Sequence, residues 1–133
     1  MDKKKIVVVD FVGVLHSYSS GWQGANVVAD PPVPGAIKWL GRMVRDDRFE
    51  IYILSSRNHQ DGGIEAMYDW LADNGLSAKS LDKLRWPLRK PAAFLTIDDR
   101  GWRFEGAFPS PDEIADFRPW WKRLTAEKEN KRP

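Results

Sequence analysis

Three polar groups stand directly behind apolar runs: Asp10 after residues 6–9, Ser55, Ser56 and Arg57 after residues 51–54, and Asp98, Asp99 and Arg100 after residues 93–97. Carboxylates from two such places, meeting at one edge of a sheet, make an oxygen-rich site for a hard cation such as Mg²⁺, which takes few protein ligands and keeps several waters. Phosphate would complete the shell. Three acids at one edge also repel one another unless a cation joins them. Each group has a plainer reading as well. An aspartate at a strand end can simply form a turn, and Ser55 and Ser56 can cap the turn at Asn58.

Bringing these residues to one edge requires a parallel sheet. Residues 6–9, Ile-Val-Val-Val, are apolar and β-branched throughout, the pattern of a strand covered on both faces, and residues 49–54 and 93–97 read the same way. Helical patterns lie between them. Pro34 opens one in which Ile37, Leu40, Met43 and Val44 recur at three- and four-residue steps as far as Asp46 and Asp47. Ile64, Met67, Tyr68 and Leu71 repeat the pattern, and Gly75 after Asn74 predicts a left-handed cap. Ser110-Pro111-Asp112-Glu113 has capping-box spacing ahead of Ile114 and Phe117, and Pro119 should break or kink that helix. Strand-helix alternation with right-handed crossovers predicts an α/β fold, a three-layer, Rossmann-like open parallel sheet with helices on both faces. Ligands bind such sheets outside the carboxyl ends of the strands.

Between the elements, residues 16–34 form a long Ser-, Gly- and Pro-rich connection that carries Trp22, as a functional flap would. Residues 75–90 are expected to hold little more than a strand and its turns. His16 and His59 read as surface residues, although either could shuttle protons. Of the seven tryptophans, Trp120 and Trp121 beside Pro119 are expected to pack rather than form an exposed platform.

Composition narrows the classes further. The 133 residues carry 21 Lys+Arg, 19 Asp+Glu and no cysteine, which excludes disulfides and thiolate metal sites and fits one domain with a real core. No apolar run approaches the roughly 20 residues of a membrane helix, and no signal-peptide pattern opens the chain, so a cytoplasmic protein without membrane contact is expected. From residue 122 onward there are five bases and two acids, which leaves residues 1–121 at a net −1 of the total +2. The expected layout is a domain over residues 1–121 and a polar basic tail over 122–133. The excess charge sits in the tail and not on a folded face, so nucleic acid is only weakly indicated as a partner.

The residues behind the three runs resemble those of the haloacid dehalogenase-like (HAD) superfamily, mostly phosphohydrolases that work through an aspartyl-phosphate. The first motif of that family, a hydrophobic strand followed by Asp-x-Asp-Gly-Thr or -Val, is matched by Val7-Val8-Val9-Asp10-Phe11-Val12-Gly13-Val14. The second, a strand ending in Ser or Thr, is matched by residues 51–55. Lys90, before Pro91, stands for the third, and Ile97-Asp98-Asp99 for the fourth. The resemblance covers most of the chain. It implies Asp10 as nucleophile and metal ligand, Asp98 and Asp99 as further Mg²⁺ ligands, Ser55 as a hydrogen-bond donor to phosphate and Lys90 as the positive charge facing the transition state. Ser56 and the backbone amides of Phe11 and Val12, turning around Gly13, would add phosphate contacts. The Ser55-Ser56-Arg57 run is loosely similar to the Ser-Gly-Arg of polynucleotide phosphatase domains. Neither gap has room for the family's cap domain, which implies an uncapped member acting on a phosphorylated and large substrate, such as a phosphoprotein or a nucleic-acid end, or one that borrows a neighbouring subunit as a lid.

Val12 departs from the motif. Phosphatases of this family carry there the aspartate that protonates the leaving oxygen and then activates water, and valine does neither. Losing such a group removes about 10²- to 10⁴-fold in rate. Metal binding survives the change, because the family's ligand at that position is the backbone carbonyl, which Val12 keeps. The resulting expectation is a Mg²⁺-dependent phosphomonoester phosphatase impaired by Val12. Two alternatives stay open: a phosphate-binding or interaction module without turnover, and a dehalogenase- or phosphonatase-like branch that needs no acid there. For Lys90 the plain alternative is a solvated side chain beside Arg89.

Overall fold

The computed structural model describes residues 3–122. By its internal contacts the chain divides into two compact units, Met1–Ile97 and Asp98–Pro133. The first is a mixed α/β unit around a three-stranded parallel sheet of order β2-β1-β3, formed by β1 (Lys5–Val9), β2 (Phe49–Ile53) and β3 (Leu95–Ile97). The most apolar strand is central, and Val7, Val8 and Val9 are buried. Its register sets Val9 opposite both Ile53 and Ile97.

The strand at residues 93–97 proves shorter and more open than its composition predicts. It pairs only over Leu95–Ile97, with Phe94 and Leu95 exposed and Ile97 half-buried. Continuous apolar sequence predicted cover on both faces, whereas β3 pairs with β1 alone and its first residue, Leu95, faces solvent. On the other side of the sheet, Arg85 adds a single parallel bridge to Tyr52, through hydrogen bonds of 2.9 Å from Ile53 N–H and 3.0 Å to Ile51 O.

Helix α1 (Ala36–Arg45) buries Leu40 and Val44 of the expected stripe together with the small Ala36 and Gly41, leaves Ile37 and Met43 half-buried, and places Arg42 and Arg45 in the last turn, where the helix dipole favours cations. Helix α2 (Gly63–Asp73) buries Met67, Trp70 and Leu71. Gly75, at φ 103°, closes it in a Schellman motif: Leu76 N–H bonds Leu71 O at 3.0 Å and Gly75 N–H bonds Ala72 O at 3.1 Å. These residues join β1, β2 and Phe11 in one core, where each large aliphatic side chain contributes roughly 1.5–3 kcal/mol.

Residues 75–90 hold more than a strand and turns. Ser77 accepts Ser80 N–H at 3.2 Å and starts α3 (Ala78–Lys83), which buries Ser80 and Leu81. Six residues are under two turns, too few for periodicity to show.

In the second unit, α4 (Pro111–Ala115) starts with the expected capping box, Glu113 N–H on Ser110 Oγ at 3.1 Å and Ser110 N–H on Glu113 Oε1 at 3.2 Å. It ends before Pro119 and buries no residue, and Trp120 and Trp121 are half-buried. No helix among the described residues is long and apolar enough to cross a membrane. Most of the basic tail, residues 123–133, lies outside the described residues.

Candidate functional site

The register of β1 determines what meets at the carboxyl rim. Asp10 N–H donates to Ile97 O at 2.9 Å, and Leu54 N–H donates to Val9 O at 3.1 Å. Asp10 and Ser55 therefore leave neighbouring strands at one edge, and a single peptide bond separates Ile97 from Asp98. Adjacent parallel strands lie about 4.8 Å apart, so this register sets Asp10 beside the end of β3. Asp98 and Asp99 follow β3 without a break, so two further carboxylates stand in the chain directly behind the strand that pairs with β1.

Each acid also has local work. Half-buried Asp10 accepts Phe11 N–H at 2.8 Å, so this amide points at the Asp10 carboxylate. Exposed Asp98 accepts Arg100 N–H at 2.8 Å, which is the turn-forming role open to any strand-end aspartate. Asp99 accepts Trp121 Nε1–H at 2.8 Å.

Beyond Asp10 the chain turns tightly. Leu15 and His16 amides both reach Phe11 O, at 3.0 and 2.9 Å, and Gly13, at φ 81°, donates to His16 O at 2.8 Å. Phe11 is fully buried in the core and anchors this loop, while Val12 is half-buried and bridges to His16. Ser55 is the cap that its alternative reading predicted. Its Oγ accepts Arg57 N–H at 3.2 Å and its N–H donates to Asn58 Oδ1 at 3.1 Å. That cap uses only the oxygen, and the hydroxyl hydrogen is still a donor. Ser56 is exposed. Lys90 is exposed too, but Asn58 Nδ2 bonds Pro87 O at 2.8 Å, and Leu88 shares a cavity of about 280 Å³ with residues 58–62, Ile64 and Glu65. The chain is thus at the rim shortly before Lys90.

The connection at residues 16–34 is anchored by side chains whose importance the sequence did not reveal. His16, expected on the surface, is buried, with its ring stacked on Phe11 at 5.6 Å and against the edge of Trp70 at 5.5 Å. Its Nε2 accepts Asp30 N–H at 3.1 Å, and Trp70 Nε1–H donates to Asp30 O at 2.9 Å. The Asp30 carboxylate accepts the Ser20 amide at 2.8 Å and also the Ser20 hydroxyl. Arg57 is buried and donates through Nη1 to the carbonyls of Gly24, Ala25 and Val27. A polar-loop composition gives no sign of this burial, because the aromatic pocket that receives His16 comes from Phe11 and from Trp70 on α2.

Burial holds the His16 imidazole below its ordinary value, with Arg57 adding to the effect and Asp30 opposing it. Burial raises the Asp30 pKa, yet the Ser20 hydroxyl and amide, with His16 and Ser19, outweigh it and keep the carboxyl below its usual range. Burial also lowers the Arg57 pKa. In the window between the depressed folded value of His16 and the unfolded value of about 6.5, the unfolded chain binds a proton that the native chain does not. Stability should therefore fall as pH drops through about 6.5, before Asp30 titrates. Urea midpoints from pH 7.5 to 5 should decline in the parent protein and flatten in His16→Gln, and a flat parent profile would remove His16 as the cause. No family model matches the chain, and no curated protein matches it in sequence.

Proposed function

We propose that this chain is a HAD-type, Mg²⁺-dependent phosphomonoester phosphatase that acts through an aspartyl-phosphate on Asp10 and is impaired by Val12. The observation that carries the reading is the register of β1, which sets Asp10 beside Ile97 and hence one residue from the Asp98-Asp99 pair. In this reading the sheet and helices are the core of a three-layer, Rossmann-like domain without a cap, as the six residues of α3 between α2 and β3 support. An uncapped rim of this kind takes a phosphate ester on a large molecule, or a smaller one under the lid of a neighbouring subunit.

The donor set fits the cation, because Asp10, Asp98, Asp99 and the Val12 carbonyl are all oxygen ligands. Bound Mg²⁺ would offset the repulsion between an anionic nucleophile and an anionic phosphate. The protein's own part follows from its residues. An Asp10 oxygen attacks phosphorus, the ester oxygen leaves with the bond electrons, and water later cleaves the acyl phosphate to regenerate the carboxylate. Ser55 O–H and Lys90 stabilise the charge spread over the phosphoryl oxygens. Val12 supplies no proton to the leaving oxygen, which is why turnover is slow. The same residue favours a second reading, a module that binds phosphate esters without hydrolysing them.

Calorimetric titration with inorganic phosphate tests the site shared by both readings. Binding should require Mg²⁺ and weaken at least tenfold in Asp98→Asn and Asp10→Asn. Phosphate affinity that is indifferent to Mg²⁺ and to both changes would end the proposal.

A further inference from the structure

The phosphate chemistry above makes no use of Trp22 or of the buried charge beneath it. Arg57 is 1% exposed, and its Nη1 reaches the Gly24, Ala25 and Val27 carbonyls at 3.0, 2.8 and 3.0 Å, while its Nε has no hydrogen-bond partner among the described residues. Buried guanidinium groups usually pair with carboxylates. Here three carbonyls of one short segment receive the donor, so Arg57 fixes the shape of residues 24–27. The guanidinium carbon also lies 4.7 Å from the centroid of the Trp22 ring, within cation–π range, yet Trp22 is 49% exposed. One side of an indole is thus held against a fixed cation while much of the ring stays in solvent.

The pair stands close to the rim. Arg57 lies in the 3-10 turn Ser56–His59 directly after Ser55, and Leu54 is bonded to Val9, the residue before Asp10. We propose that Arg57 is a positioning residue that holds Trp22 as a stacking platform for a planar aromatic group on the substrate, so that the site favours nucleotide-type phosphate monoesters over those of aliphatic alcohols. This rests on the phosphate-binding reading of the Asp10 rim. A ring that is already immobilised loses little further freedom when a ligand stacks on it. Stacking on an aromatic side chain contributes roughly 5- to 150-fold in affinity per base.

Calorimetry on the full chain with Mg²⁺ tests this with adenosine 5′-monophosphate, ribose 5-phosphate, adenosine and a 5′-phosphorylated tetranucleotide. The nucleotide should bind about tenfold tighter than ribose 5-phosphate. Trp22→Leu should reduce that ratio to about one without moving ribose 5-phosphate affinity, and Trp22→Phe should retain most of it. Arg57→Lys keeps the charge but loses the fork of donors, and should lower the ratio in the same way; an equal loss for all ligands would make Arg57 merely structural. A tetranucleotide that binds a further tenfold tighter assigns the platform to nucleic-acid ends, and equal affinity assigns it to free nucleotides. Equal binding of nucleotide and ribose 5-phosphate in the parent protein overturns the platform and leaves the phosphate reading intact. If neither phosphate binds and adenosine does not either, both readings fall; adenosine binding that Trp22→Leu abolishes would overturn the phosphate reading alone.

Discussion

Replacing Val12 with aspartate is expected to raise Mg²⁺-dependent turnover of p-nitrophenyl phosphate by about 10²- to 10⁴-fold, the usual contribution of a placed acid/base group. The position suits the change. Val12 lies two residues from Asp10 and is half-buried, in a loop held by Phe11 and by the Gly13 bond to His16. A carboxyl there would gain a fixed place and lose only the partly buried contact that Val12 makes with the core. Adding Asp10→Asn to the variant should abolish the gain, since a nucleophile cannot be replaced by its amide. A Val12→Asp protein that folds, binds phosphate and still fails to hydrolyse the ester would remove the phosphatase reading and leave the binding module.

The second large effect is structural and should appear at Gly63. A Cβ there would lie 1.9 Å from Arg57 O and 2.8 Å from Arg57 C, both of them backbone atoms. Those atoms cannot yield cheaply, because the Arg57 carbonyl accepts Gln60 N–H at 3.1 Å and the Arg57 side chain is tied to residues 24–27. Gly63→Ala should therefore cost about 3 kcal/mol, near the upper end for overpacking. That lowers Tm by roughly 10–15 °C for a chain of this size. Gly75→Ala is the control. Its Cβ would meet nothing within 4 Å, so only the left-handed backbone opposes it, at about 1–2 kcal/mol. Equal Tm losses at the two positions would show that the approach of α2 to the Ser56–His59 turn is not a tight constraint.

Both effects bear on what the sequence can display. Strands, the helices α1 and α2, the Gly75 cap and the Ser110 capping box were all readable, because each depends on local spacing or on one residue's backbone preference. The placement of Asp10, Ser55 and Asp98 behind apolar runs was readable for the same reason. What stayed hidden depends on distant partners. His16 is buried only because Phe11 and Trp70 enclose it, and Arg57 only because residues 24–27 turn their carbonyls toward it. The open face of β3 was equally unreadable, since exposure there follows from its place in the strand order and not from Leu95 or Phe94 themselves. The short α3 fell below the length at which a period can be counted.

The central position of the first strand also governs how the protein forms. β1 leaves the ribosome before the other described elements, yet Val7 pairs with Ile51 on one side and Leu95 on the other. Neither ladder is local, and each closes a long loop before any contact compensates for the lost chain entropy. A valine-rich segment thus keeps at least one side unpaired until residues 95–97 have emerged, which exposes the nascent chain to misassociation. A chain that stops short of residue 95 would leave one side of β1 unpaired.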